Sequence, residues 1–128
     1  MKPKSDRKKA VAYADKWFSL FIRARDGRCV TCGSSESLQC GHLFTRAAYS
    51  TRWDERNAFC QCAGCNLRHE HDSSPLTAYY LSRFGEDAYH ELHRKHKQTV
   101  KLSTAEIRAI GDSFKERANE MNGDFLYA

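Results

Sequence analysis

Cys29-Val30-Thr31-Cys32, Gly41-His42 and Cys62-Ala63-Gly64-Cys65-Asn66 decide how this chain folds. Each CxxC places two thiolates on one tight knuckle. Two knuckles complete a tetrahedral set of four sulfurs, the donor set of a structural zinc ion. Cys29, Cys32, Cys62 and Cys65 are therefore the expected Zn²⁺ ligands. Between the pairs lie a histidine and Asn57, and the second pair runs directly into Asn66. A plain zinc knuckle has no use for that ordering, which suggests a scaffold holding a second, working site.

Outward from the knuckles, a short strand is expected over 38–44 and a second over 58–61, with a polar, aromatic-bearing loop between them. A helix should start at the second knuckle and carry Asn66 to about His71. Upstream, Val11, Ala14, Trp17, Phe18, Phe21 and Ile22 recur at helical spacing between about Asp6 and Arg25. Asp26-Gly27 supplies the stop, with glycine suited to a left-handed cap. The helix proper is read as 10–26, behind a flexible basic arm, 1–9. Downstream, Ser74-Pro75 opens a helix to about Phe84, and another runs from Glu86 to about Lys97. Ser103-Thr104-Ala105-Glu106 is a capping box for a last helix ending near Met121. The expected architecture is α+β: a zinc-clamped module at 29–71, an N-terminal helix, and a helical part at 74–121.

The chain has 128 residues, the size of one domain, and a net charge of +5. That charge is uneven: residues 1–28 hold nine Lys or Arg against three Asp, whereas the remainder is slightly acidic. A clustered basic segment is the electrostatic footprint of a nucleic-acid binder, and also of a solvated tail. The modest apolar content (41%) suits a small core supplemented by a metal. A closed zinc site contributes on the order of 10–16 kcal/mol of apparent binding energy coupled to folding. The charged N-terminus lacks the apolar stretch of a signal peptide, and no segment approaches the roughly 20 apolar residues of a membrane span. Reduced, metal-binding cysteines in a cytoplasmic protein are expected rather than disulfides.

A strand bearing His, a loop, a strand led by Asn, and a helix bearing Asn resemble the ββα-metal (HNH, or His-Me) nuclease finger. With two CxxC pairs the pattern is similar to phage endonucleases of the endonuclease VII type. It more closely resembles the NinG (Rap) recombination nucleases of lambdoid phages. The residues carrying that likeness are Cys29-x-x-Cys32, Gly41-His42, Arg46, Arg52-Trp53-Asp54-Glu55-Arg56-Asn57, and Gln61-Cys62-x-x-Cys65-Asn66. Arg83-Phe84-Gly85-Glu86 and the helix after Ser103 extend it, so it spans roughly Asp15 to Met121.

The resemblance implies a metal-dependent endonuclease acting on branched recombination DNA, such as Holliday junctions, D-loops and flaps, in the bacterial host's cytoplasm. His42 would be the general base, since an imidazole pKa near 6.5 suits deprotonation of water. Asn66 would ligate a catalytic Mg²⁺ or Mn²⁺, and Asn57 would orient the His42 segment. HNH fingers commonly carry an acidic ligand before the histidine, where this chain has Gly41. His69 or Glu70, three and four residues past Asn66, is expected to complete the site. Arg46, Arg52, Arg56, Arg68, Lys8 and Lys9 are the candidate DNA contacts. Tyr49 and Trp53 either stack on an unpaired base or anchor the loop.

Cys40 and Cys60 read as buried free thiols. His90, His93 and His96 read as a basic helix surface rather than a metal face. Paired cuts in a symmetric junction would suit a homodimer, although no heptad demands one. Phage or host recombination proteins are the other partners implied. The rival function is a non-catalytic zinc module that binds DNA during recombination; it accounts for the cysteines and the basic segment but not for His42, Asn57 and Asn66 together.

Overall fold

The computed structural model describes residues 5–122. Seven elements follow in order: α1 (Asp6–Asp26), β1 (Leu38–His42), α2 (Tyr49–Arg52), β2 (Ala58–Cys62), α3 (Ala63–His69), α4 (Ser74–His96) and α5 (Thr104–Asn122). Helix α1 begins earlier than 10. Ser5 adopts extended backbone and its hydroxyl accepts the Lys8 N–H, while Asp6 places an acid in the first turn. Lys8 and Lys9 therefore stand exposed on the first turns of a helix rather than on a flexible arm. Residues 1–4 of the expected arm lie outside the described residues. At the other end Gly27 takes φ 76° and donates its N–H to the Arg23 carbonyl, a left-handed cap that glycine adopts without strain.

Strands β1 and β2 pair antiparallel with Cys40 opposite Cys60 and His42 opposite Ala58. Side chains alternate across the ribbon. Cys40 and Ala58 join the core built by α1 and α5, which includes Phe18, Phe21, Ile22, Ile107 and Phe114. Phe59, on the opposite face, packs with Leu43, Leu76, Tyr80 and Leu92 under α4. Two helical layers thus grip one hairpin from both sides. Helices α1 and α5 run side by side in the same direction, with Phe18 edge-on to Phe114 at 4.9 Å and Arg117 over Phe21 at 4.4 Å. Gly111 permits this approach, because a β-carbon there would collide with the Tyr13 ring and lie 3.2 Å from Ala14 Cα.

The capping box at α5 forms as read: the Glu106 N–H meets Ser103 Oγ at 3.0 Å, and the Ser103 N–H meets Glu106 Oε1 at 3.1 Å. Helix α4 is interrupted at Gly85 (φ 87°, ψ 167°), where two helices were expected to meet. The loop expected between the strands contains the one-turn helix α2. Its Ser50 hydroxyl donates to the His96 carbonyl, and Thr51 Oγ1 lies 3.0 Å from His96 Nδ1. His93 and His96 stack on the Phe44 ring at 5.1 Å each. These two histidines pack the C-terminal end of α4 against the loop, so the basic-surface reading holds only for exposed His90.

Candidate functional site

The sulfurs of Cys29, Cys32, Cys62 and Cys65 all lie within 4.8 Å of one another. Tetrahedral zinc with Zn–S bonds of about 2.3 Å sets the sulfurs about 3.8 Å apart, and Cys32 and Cys62 stand at 3.6 Å. Among the described residues this is the one cluster of three or more Cys, His, Asp or Glu that could hold a metal. Its electrostatics call for a cation. Burial opposes the Cys29 thiolate, yet hydrogen bonding to Thr31 and to the backbone of Cys62 and Cys32 holds it at about 6. At Cys32 the Ser34 backbone favours the thiolate, but the Cys29, Cys62 and Cys65 sulfurs override it and push the thiol up to about 12. Four thiols this close ionise together only around a positive charge. The set fits a structural metal such as zinc. The other two cysteines are register partners in the hairpin, and burial pushes Cys40 up to about 12 and Cys60 to about 11. They are inert thiols.

The clamp ties β2 and α3 to the segment that follows α1, and beside the hairpin opens a cleft of roughly 680 Å³. His42, Arg46, Asn66, His69 and Glu70 line it. A smaller cavity of roughly 260 Å³ shares His42, Arg46 and Asn66 and adds Asp15 and Gln39. Side chains from β1, the loop and α3 are thereby brought to one opening. His42 Nε2 lies 2.9 Å from the Arg52 carbonyl. A carbonyl only accepts, so Nε2 carries the hydrogen and Nδ1 keeps its lone pair. Burial holds the His42 pKa below the usual imidazole value, outweighing the Arg52 carbonyl. The ring is neutral at pH 7, a base in its receptive form. His69 repeats the arrangement: Nε2 lies 3.0 Å from the Leu43 carbonyl, and Nδ1 is buried without a partner.

Asn57 is fully buried and staples the loop to the hairpin. Its Oδ1 accepts the Phe44 N–H at 2.9 Å, and its Nδ2 donates to the carbonyls of Phe44 (3.0 Å) and Thr51 (3.1 Å). The Arg52 carbonyl that orients His42 follows directly after Thr51, so the staple reaches the His42 ring through the loop.

The candidate DNA-contacting arginines separate. Arg46 is exposed at the cleft, with only a 3.9 Å approach to Asp15. Arg52 is spent internally: Nε and Nη2 grip the Asp15 carboxylate at 3.0 and 2.6 Å, and Nη1 donates to the Arg46 carbonyl. Trp53 is buried and donates its indole N–H to the same carboxylate at 2.9 Å. It anchors the loop, as one of its two readings had it. Arg56 lies away from the cleft, in a pocket with Arg25, Phe59 and Tyr80. There it binds Asp54, as does Lys95. Burial alone would raise the Asp54 pKa, but hydrogen bonds from Arg56 and Lys95 hold it down to about 2. Arg68 is exposed on α3, beside the zinc knuckles rather than the cleft. Asp15 was missed from sequence: a lone acid in a helix carries no local sign that it will bind a loop 37 residues on.

Among the described residues, no helix is long and apolar enough to cross a membrane. No solved structure matches the chain. Protein ninG of Escherichia phage 933W is 32% identical over 119 residues, covering 87% of this chain and 57% of that protein. Protein ninG of Escherichia phage lambda is 30% identical over 119 residues (87% and 56%), and that of Salmonella phage P22 is 31% identical over 116 residues (87% and 57%). The chain thus spans a little over half the length of these relatives. The family described as "Bacteriophage Lambda NinG protein" matches residues 1–123, and the chain belongs to that family.

Proposed function

We propose that this chain is a metal-dependent endonuclease of the HNH type that hydrolyses DNA phosphodiesters at branched recombination intermediates. The observation that carries the reading is His42: a neutral imidazole with Nε2–H fixed on the Arg52 carbonyl, in a cleft shared with Asn66 and the exposed Arg46. The order hairpin then helix, with His on the first strand and Asn on the helix, supports assigning residues 38–69 to a ββα-metal finger.

His42 Nδ1 takes a proton from water as its oxygen bonds to phosphorus and the P–O3′ bond breaks. The departing 3′-oxygen is reprotonated from solvent. Such a base contributes about 10²–10⁴-fold in rate. Arg46 binds phosphate at the cleft rim without reading bases, which gives salt-dependent binding with little sequence preference. The residues present also fit a catalytic Mg²⁺ or Mn²⁺. Asn66 offers an amide oxygen, and Glu70 an exposed carboxylate in the same cleft. His69 Nδ1 is orphaned while its other nitrogen rests on a backbone carbonyl, an arrangement common to metal-bound histidine. Such an ion, when bound, would stabilise the negative charge that builds on the phosphate and the leaving oxygen.

The competing reading, a non-catalytic zinc module, shares the four-cysteine cluster but leaves the orientation of His42 without purpose. Incubating the protein with four-way junction, flap and linear duplex DNA, with Mg²⁺, Mn²⁺ or a chelator, separates them. Cleavage of branched substrates that requires the ion supports the nuclease. Binding of junctions with every strand left intact, under either metal, supports the module.

A further inference from the structure

Gly41 stands where a side chain would meet two amide oxygens: a β-carbon there would collide with Gln61 Oε1 and lie 3.1 Å from Asn66 Oδ1. Gln61 projects across from β2, where its register partner is Gln39, two residues before Gly41. Its side chain thus fills the space that a side chain at 41 would take. Gln61 is 1% exposed, and its Oε1 is buried with no hydrogen-bond partner.

The orientation of both amides follows from their neighbours. Asn66 Nδ2 donates to Gln39 Oε1 at 2.9 Å, which turns Asn66 Oδ1 toward Gly41. Gln61 Nε2 faces Thr31 Oγ1 at 3.5 Å, and Thr31 Oγ1 lies 3.1 Å from Cys29 Sγ. A hydroxyl hydrogen given to a thiolate leaves Thr31 oxygen as the acceptor for Gln61, so the Gln61 carbonyl points away, toward Gly41 and Asn66. Two oxygens then converge on one space with no donor between them. A buried carbonyl left so costs about 1–3 kcal/mol. A hard divalent cation, which takes neutral amide oxygens as ligands, removes that cost.

We propose that Gln61 supplies, across the hairpin, the oxygen ligand that position 41 lacks, so that Gln61 Oε1 and Asn66 Oδ1 together hold the divalent ion. The inference rests on the nuclease reading of the same site. It also makes Gln61 the link between the zinc clamp, through Thr31, and the cleft. A neutral amide in place of a carboxylate would leave the site with less negative charge for its ion.

The test is Mn²⁺ uptake by the zinc-loaded full chain without DNA, followed by the electron paramagnetic resonance signal of free aqueous Mn²⁺. Gln61→Leu should weaken uptake about tenfold or more, and Gln61→Glu should tighten it. The pair Gly41→Asp with Gln61→Ala, which moves the oxygen back to β1, should recover uptake lost in Gln61→Ala. Zinc content reports whether each variant folds; if Gln61→Leu loses its zinc, Gln61→Glu decides, and uptake no tighter than wild type overturns the proposal. Equal uptake by Gln61→Leu and wild type also overturns it, as does wild type that takes up none. DNA cleavage is scored separately, so Gln61 can fail as a ligand while the nuclease reading stands.

Discussion

Replacing Asn57 by alanine removes three hydrogen bonds at once from a site with no access to water. The Phe44 N–H loses its acceptor, and the carbonyls of Phe44 and Thr51 lose their donor. Each net loss is worth about 0.5–1.5 kcal/mol, so the variant should be about 2–4 kcal/mol less stable. For a chain of this size that lowers Tm by roughly 10 °C. The effect should be local before it is global. The Phe44 amide should exchange with deuterium far faster than the amides of β2, and the Arg52 carbonyl should lose its hold on His42. Thermal unfolding of the zinc-loaded protein and native-state hydrogen exchange read the two effects. A loss under about 0.5 kcal/mol together with unchanged Phe44 protection would refute the stapling role.

The four-cysteine cluster should bind one zinc per chain, and a strong chelator or Cys32→Ser should collapse the knuckles and lower Tm more than any single core substitution, as read by circular dichroism and metal analysis. Arg46→Ala should weaken junction binding and reduce the salt dependence of log Kd by about one counterion, measured by fluorescence anisotropy. Arg52→Ala should instead act through stability, because its guanidinium is held on the Asp15 carboxylate; a normal Tm with weakened binding would contradict this. Because burial lowers the His42 pKa, the base stays deprotonated to lower pH than free imidazole. The acid limb of the pH profile of kcat/KM should therefore fall below pH 6.5, and an acid limb above 7 would contradict the assignment.

Short-range chemistry made much of this molecule readable in advance. The CxxC spacing alone brings two thiolates together, and the Ser103–Glu106 box and the Gly27 cap announce helix ends through bonds a few residues long. Even so, α1 opens earlier than the basic residues suggested, with Ser5 capping its first turn and Asp6 placing an acid there. The features that escaped are those spanning the chain. Asp15 holds Arg52 and Trp53 from a distant helix, so an arginine that reads as a DNA contact is an internal brace. Phe44 gathers His93 and His96 from the far end of α4. Gln61 looks like an ordinary strand residue until the register sets it against Gly41. Pairing across a hairpin, unlike spacing along it, has no signature in one sequence.

The central claim is that His42 is the base of a phosphodiester hydrolysis, and single-turnover cleavage of a four-way junction tests it most directly. With Mg²⁺ or Mn²⁺ and equal zinc content, His42→Ala should bind the junction as wild type does and cleave it about 10²–10⁴-fold more slowly. Equal cleavage by the two proteins, or a junction that wild type leaves uncut with either ion, would contradict the account.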